Sequence, residues 1–238
     1  MKRKLEKLYM AFIIFLLYAP IFTLIVLSFN SSRTRAKWGG FTLQWYQALF
    51  ANEDIMNALY TTLVIALLSA IIATVLGTAA SVGITSMKPR AKTVFMGVTN
   101  IPMLNGEIVM GISLMLLFII GRIELGFGTI LLAHITFNLP YVILSVMPKM
   151  KQTSRATYEA ALDLGASPMY AFWKITFPDI MPGVISGFLL AFTMSLDDFV
   201  ITYFTKGPGI DTLSTKIYSE VRNGIKPEMY SVSSILYA

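Results

Sequence analysis

The chain has 238 residues, of which 55% are hydrophobic and only 13% charged, and it contains no cysteine. Ordinary soluble domains carry about 25% charged residues, so a fold built round one aqueous core is excluded, and so are a disulfide framework and a thiolate metal site. The formal net charge of +6 does not point to nucleic acid, because the basic residues sit in short clusters beside apolar runs, the pattern of membrane topology.

Lys2, Arg3, Lys4 and Lys7 precede an uncharged run over 8–29, which matches the roughly 20 residues needed to cross the hydrocarbon. The run is too long for the apolar part of a signal peptide and has no Ala-x-Ala exit, so it is expected to be the first span. The segment 30–58 is mixed, with Arg33, Arg35, Lys37, Glu53 and Asp54 around Trp38, Trp45 and Tyr46, and is expected outside the cell. Trp45 and Tyr46 suit interfacial anchors, half wet and half in lipid, or rings that stack on an organic cation. A second span, 59–84, is rich in Ala, Ser, Thr and Gly, which let helices approach closely in lipid. Lys88, Arg90 and Lys92 follow with no acid among them. Short cationic loops stay cytoplasmic, so this loop and the amino terminus are both expected in the cytoplasm. The basic residues expected outside, Lys206, Lys216, Arg222 and Lys226, are diluted by Asp211, Glu220 and Glu228.

The third span, 93–120, is interrupted by Asn100, Pro102, Asn105 and Gly106 and contains Glu107. A broken helix at membrane depth is tolerated only where it faces protein or water, so this one is expected to line a cavity. Arg122 and Glu124 form a brief external turn before the fourth span, 125–147, with His134, Asn138 and Pro140. His134 is the only histidine, which excludes a multi-histidine metal site; a helix-to-helix hydrogen bond suits it better than a proton relay.

The fifth span, 181–205, holds Ser195, Asp197 and Asp198. An acid at the centre of a membrane helix costs about 2.5–3.5 kcal/mol on insertion scales, and two adjacent ones need a reason. Consecutive helical residues point about 100° apart, so both cannot face one ligand. Ser195, Asp198 and Thr202 share a face, while Asp197 lies near Thr193 and Ile201. One acid faces a pathway and the other takes hydrogen bonds from a neighbouring helix; the sequence leaves both as candidates. With Glu107 they make three intramembrane carboxylates, and no Lys or Arg lies inside any of these spans. Such a cavity attracts positive charge. A di- or polyammonium compound suits it, since its amines make ionic hydrogen bonds and its methylene stem fits aromatic walls. The candidate pathway residues are therefore Asp197, Asp198, Glu107 and Ser195, with Trp45 and Tyr46 outside. The alternative is that the acids pair with an arginine on another subunit.

Between the fourth and fifth spans lies an amphipathic island, 154–178. The stretch from Tyr158 to Leu164 suits two helical turns, and Gly165 supplies the left-handed residue that ends them. Ser167 and Pro168 read as the N-cap and first position of a second helix. The expected product is a helix, a sharp turn and a helix at the membrane surface.

Glu159-Ala160-Ala161, then Gly165, then Ile175-Thr176-Phe177-Pro178 is similar to the EAA signature of membrane subunits of ATP-driven (ABC) importers, with Phe177 where that family usually has leucine. The resemblance implies that this cytoplasmic coupling loop docks on an ATPase, with Glu159, Ala160, Ala161, Gly165, Ile175 and Pro178 as its coupling residues. The runs from Glu107 to Leu114, from Ser195 to Val200 and from Ile217 to Glu228 extend the likeness over nearly the whole chain, to the spermidine/putrescine (PotC-like) permease family. That resemblance implies an all-α integral membrane protein with the type I ABC importer (MetI-like) transmembrane domain, usually of six spans. Five complete spans and the start of a sixth, from about 230, are expected here; the family's sixth span would be starting where the sequence ends, as in a truncated or incomplete chain. It further implies a homologous second permease, two copies of a cytoplasmic ATPase, an extracellular polyamine-binding protein, and a place in the cytoplasmic membrane.

No catalytic apparatus is visible. Gly106 and Gly111 have the spacing of a phosphate loop, but Ile112 stands where its lysine is needed, and Gly126-Phe127-Gly128 lacks the third glycine of a dinucleotide site. The chain is expected to be no enzyme and to hold no metal or cofactor, with ATP and magnesium bound by the partner ATPase. Two rivals to polyamine import are an ABC permease for ferric iron, thiamine or sulfate, and an ion-coupled secondary transporter or channel that uses Asp197 and Asp198. The second leaves 159–178 without a purpose.

Overall fold

The computed structural model describes residues 2–32, 37–223, 231–232 and 234. Arg33, Arg35, Lys226 and Glu228 lie outside the described residues, as does nearly all of the expected sixth span. Among the described residues the only strand-like pairing is one antiparallel bridge between Asn30 and Phe41; every other regular element is helical. In chain order these are α1 (Lys2–Ser28), α2 (Gln44–Ala51), α3 (Glu53–Ser86), α4 (Pro89–Leu104), α5 (Glu107–Ile120), α6 (Phe127–Gln152), α7 (Arg155–Asp163), α8 (Pro168–Ala171), a wide π turn (Phe172–Thr176), α9 (Phe177–Asp197), α10 (Val200–Thr205) and α11 (Leu213–Asn223).

Four helical stretches are long and apolar enough to cross a bilayer: Glu6–Ser28, Glu53–Ser86, Phe127–Gln152 and Pro168–Asp197. They correspond to the first, second, fourth and fifth expected spans. The third is a bent pair: α4 and α5 meet at an angle of 106°, at the Asn105 and Gly106 interruption expected from the sequence. Two adjacent extended residues turn the chain, Asn105 with ψ 142° and Gly106 with ψ 146°. Pro102, which has no N–H to offer the ladder, already weakens the last turn of α4. The half after the bend is the one that packs, burying Gly111, Leu114 and Phe118, whereas α4 buries nothing.

The fifth stretch differs from the expected 181–205. It starts earlier, because the helix continues through the π turn, in which the Phe177 N–H reaches back to the Phe172 carbonyl. The extra residue in that turn relieves the crowding that Pro178 would impose on a tighter one. It stops sooner too: Asp198 is extended, with φ −64° and ψ 125°, and a separate short helix, α10, resumes at Val200.

The chain divides into two compact units, Met1–Leu59 with Thr215–Ala238, and Tyr60–Ser214. In the second unit, α6 and α9 run against each other with α3 alongside, and Val142, Val146, Ile180 and Ala191 close on Ala70 and Ala73. The alanines are the reason α3 comes so near: in lipid there is no hydrophobic drive between helices, so close backbone approach and dispersion hold them. Leu114 and Phe118 of α5 pack with Ala133 and Phe137 of α6 and Ile201 of α10, which brings α10 back into the bundle.

One loop contact is closer still. A Cβ on Gly207 would run into the Leu125 carbonyl oxygen and carbon, and both are backbone atoms that cannot swing away. Gly207→Ala is therefore expected to cost about 1–3 kcal/mol through overpacking. In detergent this should lower the unfolding midpoint by roughly 2–10 °C, read by a thermal melt against the parent chain.

Candidate functional site

The two adjacent acids stand at the break between α9 and α10, and the structure separates them. Asp198 turns inward, its side chain only 4% exposed. Its Oδ2 accepts from the Thr202 N–H at 2.8 Å and the Thr202 hydroxyl at 2.9 Å, and its Oδ1 accepts from the Ile201 N–H at 3.3 Å. It thereby caps the first turn of α10, and three donors offset the cost of burying the charge. Asp197, one residue earlier and the last of α9, is exposed. Glu107, in the first turn of α5, is exposed as well.

His134 of α6 completes the arrangement. Its Nδ1 lies 2.5 Å from Ser195 Oγ on α9 and its Nε2 lies 2.9 Å from Thr202 Oγ1 on α10; Nε2 is also 3.4 Å from Asp198 Oδ2. The Ser69 hydroxyl of α3 donates to Ser195 Oγ at 3.0 Å, and Asn138 Nδ2 donates to Ser69 Oγ at 3.4 Å. One line of side-chain hydrogen bonds thus joins α3, α6, α9 and α10. The Thr202 hydroxyl proton is committed to Asp198, so Thr202 Oγ1 receives its bond from His134 and Nε2 carries a hydrogen.

The sequence placed Ser195, Asp198 and Thr202 on one face, and the structure does bring them together, around His134 and across a broken helix. The helix-to-helix hydrogen bonding expected of His134 is what the geometry shows. The wider network was not foreseen; its one sequence signal is that His134 and Asn138 stand four apart on α6 and so share a face.

Trp45 and Tyr46 belong to the first unit. The Trp45 ring is 8% exposed, and its Nε1 donates to the Asn30 carbonyl at 2.7 Å. Asn30 in turn donates to the Lys37 carbonyl at 2.9 Å and accepts from the Gly39 N–H at 2.8 Å. The Tyr46 ring leans on Phe29 at 5.4 Å between centroids, and its hydroxyl lies 2.8 Å from Ser28 Oγ and 3.2 Å from Ser234 Oγ. Both rings are thus held by contacts within this unit, with Tyr46 half-buried.

At the amphipathic island the local chemistry acts as the sequence suggested. Gly165 has φ +88°, and the chain closes α7 by bonding the Gly165 N–H to the Leu162 carbonyl at 2.9 Å and the Ala166 N–H to the Ala161 carbonyl at 3.0 Å. This is the Schellman pattern that a left-handed glycine permits. Ser167 Oγ then accepts from the Tyr170 N–H at 3.3 Å, with Pro168 opening α8. The elbow presents Glu159, Ala160 and Gly165 to the outside, half-buries Ala161 and Ile175, and leaves Pro178 exposed. Around it Leu164 is 89% exposed, Met169 67%, Tyr170 59% and Trp173 53%. A polar-edged apolar patch of this kind marks an interaction surface.

A family model described as "Binding-protein-dependent transport system inner membrane component" matches residues 73–237. This chain belongs to that family. The inner membrane component is 42% identical over 220 residues to the spermidine/putrescine transport system permease protein PotC of Escherichia coli (strain K12), covering 92% of this chain and 83% of that one. It is 40% identical over 227 residues to the putrescine transport system permease protein PotI of the same strain, with 92% and 81% covered. PotC of Haemophilus influenzae is 38% identical over 220 residues, with 92% and 86% covered. Among solved structures, a bacterial ABC transporter involved in the import of the acidic polysaccharide alginate superposes with a TM-score of 0.76 at 17% identity, covering 100% of this chain and 91% of that one. An amino acid ABC transporter crystallised with histidines gives 0.60 at 16% identity, covering 83% and 92%. At such identities these two show the fold alone: the inner membrane component is an all-α, multi-pass membrane protein with the transmembrane architecture of an ABC importer, and its relatives are permease subunits.

Proposed function

We propose that this inner membrane component forms half of the translocation pathway of an ATP-driven importer for the polyamines spermidine and putrescine. The observation that carries the reading is the 42% identity to a spermidine/putrescine permease protein across 92% of the chain. The chemistry of the membrane stretches supports it, since Asp197 and Glu107 are exposed and the runs 59–84, 93–120, 125–147 and 181–205 hold no Lys or Arg. Asp197 is the pathway acid, because Asp198 is committed to capping α10. Each carboxylate takes an ammonium group in a charge-assisted hydrogen bond. Glu107 opens α5 directly after the sharp bend with α4, where irregular backbone is tolerated only beside protein or water.

The exposed elbow from Glu159 to Trp173 docks on a cytoplasmic ATPase, which binds the ATP and magnesium; this chain hydrolyses nothing. When ATP closes a pair of those ATPases, α7 is carried with them. The elbow connects through the π turn directly into α9, so the motion reaches the Asp197 end of that helix and switches the cavity from outward to inward opening. A second homologous permease supplies the other half of the pathway, and an extracellular polyamine-binding protein delivers the cargo. The coupling loop lies in the cytoplasm, as does the amino terminus, in the cytoplasmic membrane.

Uptake by the assembled importer in proteoliposomes tests the substrate class. Labelled putrescine and spermidine should enter only with ATP inside, and unlabelled polyamine should compete while ferric iron, thiamine and sulfate should not. Uptake that needs an ion gradient and ignores ATP would contradict the reading.

A further inference from the structure

The intramembrane acids and the coupling elbow leave one buried group without a role. His134 is 2% exposed, it is the only histidine, and both of its ring nitrogens are used. They are used on opposite sides of a helix break. Nδ1 meets Ser195 at 2.5 Å, three residues before Asp198, and Nε2 meets Thr202 at 2.9 Å, four residues after it. We propose that His134 is a positioning residue for substrate recognition: by bridging Ser195 and Thr202 it fixes the angle between α9 and α10, and with it the direction in which Asp197 presents its carboxylate. The proposal rests on the reading of Asp197 as the pathway acid.

A helix break is not rigid by itself. Between Asp197 and Val200 the chain leaves helical geometry, so the ladder of backbone hydrogen bonds that stiffens a helix is interrupted there. What spans the gap is side-chain chemistry. Asp198 holds the start of α10, Ser69 of α3 holds Ser195, and the His134 ring joins the two anchored ends to α6. The ring is planar and stiff, with one bonding nitrogen at each edge, so it fixes a distance that a flexible side chain would not. Asp197 lies between Ser195 and Asp198, both of them pinned, and its own backbone has little freedom left. Recognition of a small cation depends on carboxylates held to about half an ångström by the groups behind them, which is the service His134 supplies. It touches no substrate.

The absence of cysteine makes the direction of residue 197 measurable. Asp197→Cys places the chain's single thiol at that position, and a cationic, water-soluble methanethiosulfonate applied to the assembled importer reports its access as a mass shift of this chain. Adding His134→Ala should slow labelling at least about fivefold, and His134→Gln, which keeps a donor and an acceptor, should restore it to within about twofold. Glu124→Cys, on the exposed turn before α6, should label equally fast with either residue at 134. Labelling at 197 that stays within about twofold of the parent in His134→Ala would overturn the proposal. If His134→Ala does not assemble, Ser195→Ala and Thr202→Val each cut one end of the bridge; slowed labelling in both supports it, and parent-like labelling in both overturns it. A separate uptake assay of Asp197→Asn keeps the two readings apart, since unchanged uptake removes Asp197 from the pathway whatever the labelling shows.

Discussion

Asp197→Asn is expected to lower ATP-driven polyamine uptake roughly 10- to 100-fold while leaving the amount and thermal stability of the chain in the membrane close to the parent. The carboxylate is exposed at the end of α9, and replacing it removes a charge-assisted hydrogen bond worth about 1.5–3 kcal/mol, where each 1.4 kcal/mol is a factor of about ten. Asp198→Asn should behave differently. The amide cannot accept from both Thr202 groups and Ile201 as the carboxylate does, and its NH2 would face donors. The loss there is one of stability, about 1–3 kcal/mol for an unsatisfied buried group, and shows first as a lower unfolding midpoint and less chain in the membrane. Parallel measurement of uptake and melting for the two variants separates these roles. Equal behaviour of both would mean that the break does not divide the acids as described.

The second large effect is at the other end of α9. Glu159→Lys is expected to abolish co-purification of the ATPase and to reduce uptake more than tenfold, with the chain still folded. Glu159 lies on the exposed side of α7, and a reversed charge at a docking surface costs several kcal/mol where it meets its own sign. The turn of the elbow should survive, because the Gly165 and Ala166 N–H bonds and the Ser167 cap set its shape. A pull-down with the cytoplasmic ATPase, alongside uptake in the same membranes, reads both. Intact pull-down together with intact transport would remove the coupling role from this loop.

The residues that read correctly from sequence are those whose geometry is local. Gly165, Ser167 and Pro168 fix a turn through their own dihedrals and hydrogen bonds, and four apolar runs specify membrane helices by length alone. What the sequence leaves open lies where a distant partner or a single dihedral decides. Asn105 and Gly106 mark the break in the sequence, but not its angle of 106°, since the direction after a bend depends on two ψ angles. Asp198 carries the same side chain as Asp197, and what makes it a cap is a break that turns the Ile201 and Thr202 N–H groups onto it, with His134, 64 residues earlier, alongside. Nothing near Trp45 in sequence announces that the Asn30 carbonyl, 15 residues earlier, takes its indole N–H. The early start of α9 follows from a π turn whose one extra residue leaves no mark in composition.

The most direct measurement is a structure of the complete importer, with both permeases and the ATPase pair, holding a polyamine in the membrane. The expected result is an amine nitrogen at about 3 Å from the Asp197 carboxylate, with a water-lined route beside it and Glu107 on the same cavity. Asp197 and Glu107 clasped instead by arginines of the second permease, with no passage alongside, would contradict the polyamine pathway.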